Sequence, residues 1–175
     1  MLRLACLLTV LLAPPAALGQ GAEVPFGGFE HDASLTVEIT ADALELDQAA
    51  GTAIFIGTVR VAQGELRMAA DRIEVFYAGG EEDGSTGAVQ RMLAFGNVTL
   101  SNGAEAAEAE RATYEVGSGI VEMEGEVLLT QGRNALSSER LRIDLTAGTG
   151  RLEGRVQTIF TPGSTPGSTP GAAAQ

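Results

Sequence analysis

Gly57-Thr-Val-Arg-Val-Ala-Gln-Gly-Glu-Leu-Arg-Met-Ala-Ala-Asp-Arg-Ile-Glu-Val75 decides the fold of this chain. A glycine opens an alternating apolar and polar run. A Gln-Gly pair interrupts it, and a second alternating run follows through an acid–arginine pair. The opening phrase returns at Gly96-Asn-Val-Thr-Leu-Ser-Asn, Gly125-Glu-Val-Leu-Leu-Thr-Gln and Gly154-Arg-Val-Gln-Thr. The last three glycines are 29 residues apart (125 − 96 and 154 − 125), and the first gap is 39 (96 − 57). The longer gap accommodates one polar insert, 78–87. The acid–arginine pair stands 14 residues after three of the glycines, at Asp71-Arg72, Glu110-Arg111 and Glu139-Arg140. A fixed period in this range means one supersecondary unit, copied and stacked. Stacked units present a surface or a groove rather than a catalytic pocket.

Within each copy the apolar residues recur at every second position, the period of a half-buried strand. After the glycines stand Val59 and Val61, Val98 and Leu100, Val127 and Leu129. After the acids stand Ile73, Val75 and Tyr77, then Tyr114 and Val116 following Ala112, then Leu141, Ile143 and Leu145. Before the glycines stand Phe55, Met92 and Met123, and Met68 lies between the two runs of the first copy. These registers agree on one inward face. The opposite parity carries Arg60, Glu74, Thr99, Glu115, Arg142 and Asp144, which suit water. Gln63-Gly64, Asn102-Gly103 and Gln131-Gly132 stand at matching positions, and Asn-Gly marks a tight turn because both of its residues tolerate positive φ. Gly117-Ser-Gly119 and Gly148-Thr-Gly150 mark a second turn. Each unit therefore holds about four short strands. The alanine- and glutamate-rich stretch 104–112 would suit a helix alone, but its alignment with two strand-like copies overrides that propensity. The reading is all-β and repeat-built, with a leading copy at 35–47.

The ends are different. Met1-Leu-Arg3, an apolar run from Leu4 to Leu12 and the small-x-small pattern Ala17-Leu-Gly19 read as a signal peptide over 1–19, cut before Gln20. The run is shorter than the ~20 apolar residues of a membrane span. A flexible lead-in is expected over 20–34, the domain over 35–160, and a disordered Pro-Gly-Ser-Thr tail over 161–175. Cys6, the single cysteine, lies in the signal segment, so the exported chain has neither disulfides nor thiolate ligands. The formal charge is −12, and all eleven basic residues are arginine. Such an acidic chain repels nucleic acid.

No catalytic or metal site emerges. His31, the one histidine, sits in the lead-in, where a solvated role is the ordinary one. No glycine-rich phosphate loop opens a helix. The acid–arginine pairs read as corners that position the chain. The scattered carboxylates do not make the paired arrangement of a carbohydrate-cleaving enzyme. The inward face is either a filled core or an apolar groove, and pattern alone leaves both open. The first and last strands, carrying Val37 and Ile39 and then Val156 and Ile159, lack edge-blunting proline or lysine and are expected to add partner strands.

The quoted stretch 57–75, with Val37-Glu-Ile-Thr-Ala-Asp-Ala-Leu-Glu-Leu-Asp47 before it, resembles the OstA-like (LptA) family of lipopolysaccharide-transport proteins. The likeness runs over roughly 35–160 and rests on Gly-x-Val, the Gln-Gly turn and Ala-Asp-Arg in register. It implies a twisted antiparallel β-jellyroll open at both ends, without catalytic residues or cofactors. It implies that lipopolysaccharide passes with its acyl chains on the inward face, the eighteen residues from Phe55 to Leu145 named above being its lining. It also implies head-to-tail self-association and contacts with LptC-like and LptD-like proteins in the periplasm. The insert 78–87 and the alanines of 104–109 thin that lining. The alternatives are a structural β-solenoid without lipid and an LptC-like component that keeps residues 2–18 as an anchor.

Overall fold

A computed structural model describes residues 22–26, 32–78 and 87–160. The expected signal peptide, His31, most of the insert and the expected tail lie outside the described residues. Among the described residues eleven strands form one antiparallel sheet: β1 (Ala22–Pro25), β2 (Val37–Thr40), β3 (Ala43–Asp47), β4 (Thr52–Gln63), β5 (Leu66–Tyr77), β6 (Val89–Ser101), β7 (Glu105–Glu115), β8 (Ile120–Gln131), β9 (Asn134–Asp144), β10 (Thr149–Glu153) and β11 (Gln157–Ile159). The order is β1-β10-β9-β8-β7-β6-β5-β4-β2, with β3 on β4 and β11 on β9. The sheet does not close into a barrel.

The four short strands expected per unit are two long strands, each bent in its middle. Register shifts fall at Ile56/Val59, Ala69/Arg72, Phe95/Val98, Glu108/Arg111 and Glu124/Val127. They form one line across the sheet, and the repeat glycines mark it. Gly57, Gly96, Gly125 and Gly154 all have positive φ, as do the residues after them, Thr58, Asn97, Glu126 and Arg155. Two consecutive positive-φ residues re-aim a strand, as bulges do. β2 with β3, and β10 with β11, are likewise bent strands, broken at the same line. The bend divides the sheet into two facing layers. One holds β1, β3, β10 and the halves 52–56, 72–77, 89–95, 111–115, 120–124 and 140–144. The other holds β2, β11 and the remaining halves.

Each repeat acid meets the following glycine. A Cβ on Gly57 would stand 2.5 Å from Oδ2 of Asp42, and one on Gly154 would stand 2.6 Å from Oε2 of Glu139. Asp71 with Gly96 and Glu110 with Gly125 repeat the arrangement. The period of 29 is thus 14 residues from glycine to acid and 15 from acid to the next glycine (110 − 96, 125 − 110). The arginines beside the acids point outward. Arg111 pairs with Glu124 at 3.3 Å and Arg140 with Glu153 at 3.5 Å across neighbouring strands. The doublets are corners, as the sequence reading has it.

Two expectations about the ends need correction. The lead-in 20–34 holds a strand, because β1 pairs with β10 from Ala22↔Leu152 to Pro25↔Thr149 and Phe26 is fully buried behind it. The two-residue spacing of Val24 and Phe26, with Glu23 before them, carried that signal, but four residues are too few to stand out without a partner. The closing segment 154–160 is also not one edge strand. Val156 lies between β10 and β11, and Ile159 pairs with Ala135 on the outward parity, 70% exposed.

Candidate functional site

The inner surfaces of the two layers pack into one buried apolar cluster, the candidate lining. Along the first layer it runs Leu46, Ala53, Val75, Met92, Tyr114, Val121, Ile143, Gly150 and Val24 in cross-strand register. Along the second it runs Ile39, Val61, Met68, Leu100, Ala107, Leu129 and Leu136. Sixteen of the eighteen sequence-predicted lining residues are buried, and Phe55 and Tyr77 are partly buried against the same cluster. β7 forms a strand despite its alanines, and Ala107 is fully buried between Leu100 and Leu129. The lining is thinner there but unbroken. Glu115 and Arg142 lie outside, about half exposed.

At the β2/β3 edge the lining is open. Leu44 and Leu46 stand on the inward parity of β3, opposite Phe55 and Ala53, yet are 51% and 65% exposed. Among the described residues no strand pairs with β3 on its far side. At the other end β1 covers β10, and Phe26 fills the space beneath it. Val37 and Ile39 of β2 are partly buried against the core, and among the described residues no further strand pairs with the outer edge of β2.

Polar groups inside are few and partnered. Tyr114 donates its hydroxyl proton to Oε1 of Gln63 at 2.8 Å. Gln63 donates from Nε2 to the Leu35 carbonyl at 3.3 Å. Burial pushes the Tyr114 phenol above its ordinary value of 10.0. Gln131 donates to Glu105 at 2.8 Å and to the Pro25 carbonyl, and Asn102 donates to Glu105 at 3.3 Å. Sequence reading took Gln63, Asn102 and Gln131 for turn residues only. Their place six residues after each bulge glycine, on the inward parity, was the missed signal. Among the described residues no group of three or more His, Cys, Asp or Glu could hold a metal. No helix among them is long and apolar enough to cross a membrane.

Comparisons agree with this geometry. The family described as LptA/(LptD N-terminal domain) LPS transport protein matches residues 38–149. A protein of Rhizobium meliloti (strain 1021), itself uncharacterized, is 30% identical over 119 residues, 67% of this chain and 60% of the relative. The crystal structure of LptH, described as the LptA-homologous periplasmic component of the lipopolysaccharide transport device of Pseudomonas aeruginosa, superposes with a TM-score of 0.63. It does so at 17% identity, covering 75% of this chain and 99% of that one, which shows the β-jellyroll fold. With the family matched across most of the bent sheet, the chain belongs to the LptA/LptD N-terminal-domain family of lipopolysaccharide transport proteins.

Proposed function

We propose that this chain is a periplasmic, non-catalytic carrier that passes lipopolysaccharide between membranes, with the acyl chains against the lining between its two layers. The observation that carries the reading is the lining itself: one apolar face continuous from β3 to β1 that surfaces at Leu44 and Leu46. Each buried methylene contributes ~0.8 kcal/mol, so a carrier must cover most of an acyl chain to compete with a membrane. In this reading residues 1–19 are a signal peptide removed before Gln20, and 161–175 are a tail the fold does not need. The edge of β2 and β3, with Val37 and Ile39, takes a strand from a partner, and the β11 region with Val156 and Ile159 takes another. Partners are further copies head to tail and LptC-like and LptD-like proteins. Such contacts do not close and build open filaments.

A photo-reactive amino acid placed at Leu129 or Ile143 is expected to capture lipopolysaccharide, and one at Glu115 or Arg142 is not. Equal labelling at both sets, or none at all, rejects the carrier and leaves a solenoid with a filled core. For the edges, Ile39→Pro and Ile159→Pro are each expected to stay folded and to reduce self-association and pull-down of an LptC-like partner. Association unchanged in both variants rejects edge docking.

A further inference from the structure

We infer that Tyr114 and Gln63 are specificity-determining residues of the interior, selecting acyl chains that carry a hydrogen-bonding group beside the hydrocarbon. The inference rests on the carrier reading above. Tyr114 is on β7 and Gln63 ends β4, so two strands, β5 and β6, lie between them in the sheet. At ~4.8 Å per strand that is about 14 Å along the sheet. They nonetheless meet at 2.8 Å, because the bend brings the two layers face to face. The bond therefore spans the interior from one layer to the other. Tyr114 is 1% exposed and Gln63 is 5% exposed, so the bond is made away from water.

The repeat shows that the fold does not require this hydroxyl. Tyr114 stands four residues after its repeat acid, Glu110. The same position in the neighbouring copies holds Val75 and Ile143, both fully buried and purely apolar. Only the central copy places a polar group in the row, and it lies against an amide from the facing layer. An acyl chain that comes to lie between the layers here must part this pair. A plain hydrocarbon chain offers nothing in return, and the amide oxygen of Gln63 loses its donor in a buried site. A chain with a hydroxyl or amide at that depth accepts from the tyrosine or donates to the glutamine, and the exchange is nearly even. The clasp thus discriminates by polarity close to the chain, while the aliphatic rows on either side hold hydrocarbon.

The test uses purified mature protein carrying a fluorescent apolar probe, displaced by myristate or by β-hydroxymyristate. The parent is expected to bind the hydroxylated acid about tenfold more tightly, the worth of one hydrogen bond in a dry site. The double variant Tyr114→Phe with Gln63→Leu is expected to bring the two within about twofold, with myristate bound at least as well as by the parent. Should the double variant not fold, Tyr114→Phe, which keeps the ring, must alone cut the preference by roughly threefold or more. Equal binding by the parent, or a preference surviving the substitutions, overturns the inference and leaves the carrier standing, because myristate still binds. Displacement by neither acid in the parent overturns both.

Discussion

Asp42 occupies the space that a side chain on Gly57 would need: a Cβ there would lie 2.5 Å from the Asp42 carboxylate. The same exclusion recurs at three further corners, and together they set the line along which the sheet bends. The acid is not half of an ion-pair ladder, and its spacing to glycine is a steric requirement. Gly57 also has φ +77, a conformation that costs an alanine ~1–2 kcal/mol.

Gly57→Ala is therefore expected to lower unfolding free energy by at least ~1–2 kcal/mol in urea titration. Asp42→Ala together with Gly57→Ala should recover about 1 kcal/mol of that loss, since it removes the clash and leaves the backbone strain. Losses that simply add would show that the two residues do not share the space.

Thr58 is a β-branched residue at φ 42, where such residues are outliers. The corresponding residue of the next copy is Asn97, which tolerates the region and donates to Asp71 at 2.8 Å. Thr58→Asn is expected to raise stability by about 0.5–1 kcal/mol, read as a higher denaturation midpoint at unchanged slope. A lower midpoint would contradict the strain assigned here.

Phe26 anchors β1 over β10 and is fully buried. Phe26→Ala is expected to cost ~3–5 kcal/mol. Amide hydrogens of β10 should then exchange faster, while those of β5 and β6 change less. Unaltered protection at Thr149–Glu153 would mean that β1 does not hold that edge.

Tyr114 has a proton affinity raised in the folded state by desolvation, and Tyr77 is raised in the same direction. A raised folded value gives stability that is fully present below the unfolded value of 10.0 and is lost as pH climbs through the folded one. Stability should thus fall as pH rises above 10.0, and Tyr114→Phe should flatten that fall, leaving the smaller part due to Tyr77. Identical alkaline slopes for parent and variant would contradict the burial of the phenol.

The sequence by itself determined the strands and which of their sides is apolar. Period-two alternation repeated over three copies specifies parity, and parity alone put residues such as Val98, Leu129 and Ile143 inside. Recurrence also made 105–115 a strand, where local propensity favoured a helix. The turn and corner glycines were legible for the same reason. What only the tertiary structure decided are contacts between residues far apart along the chain. The pairing of β1 with β10 brings together segments about 125 residues apart, and no local pattern encodes that partner. The split of the closing segment into β10 and β11 follows from the bend, which breaks every strand at the same line. The bond between Tyr114 and Gln63 exists because the sheet folds over on itself, so a residue that reads as a turn becomes a lining residue facing the opposite layer. Periodicity is a property of one strand and its neighbours, whereas the interior is made by two layers meeting, and only the folded geometry brings them together.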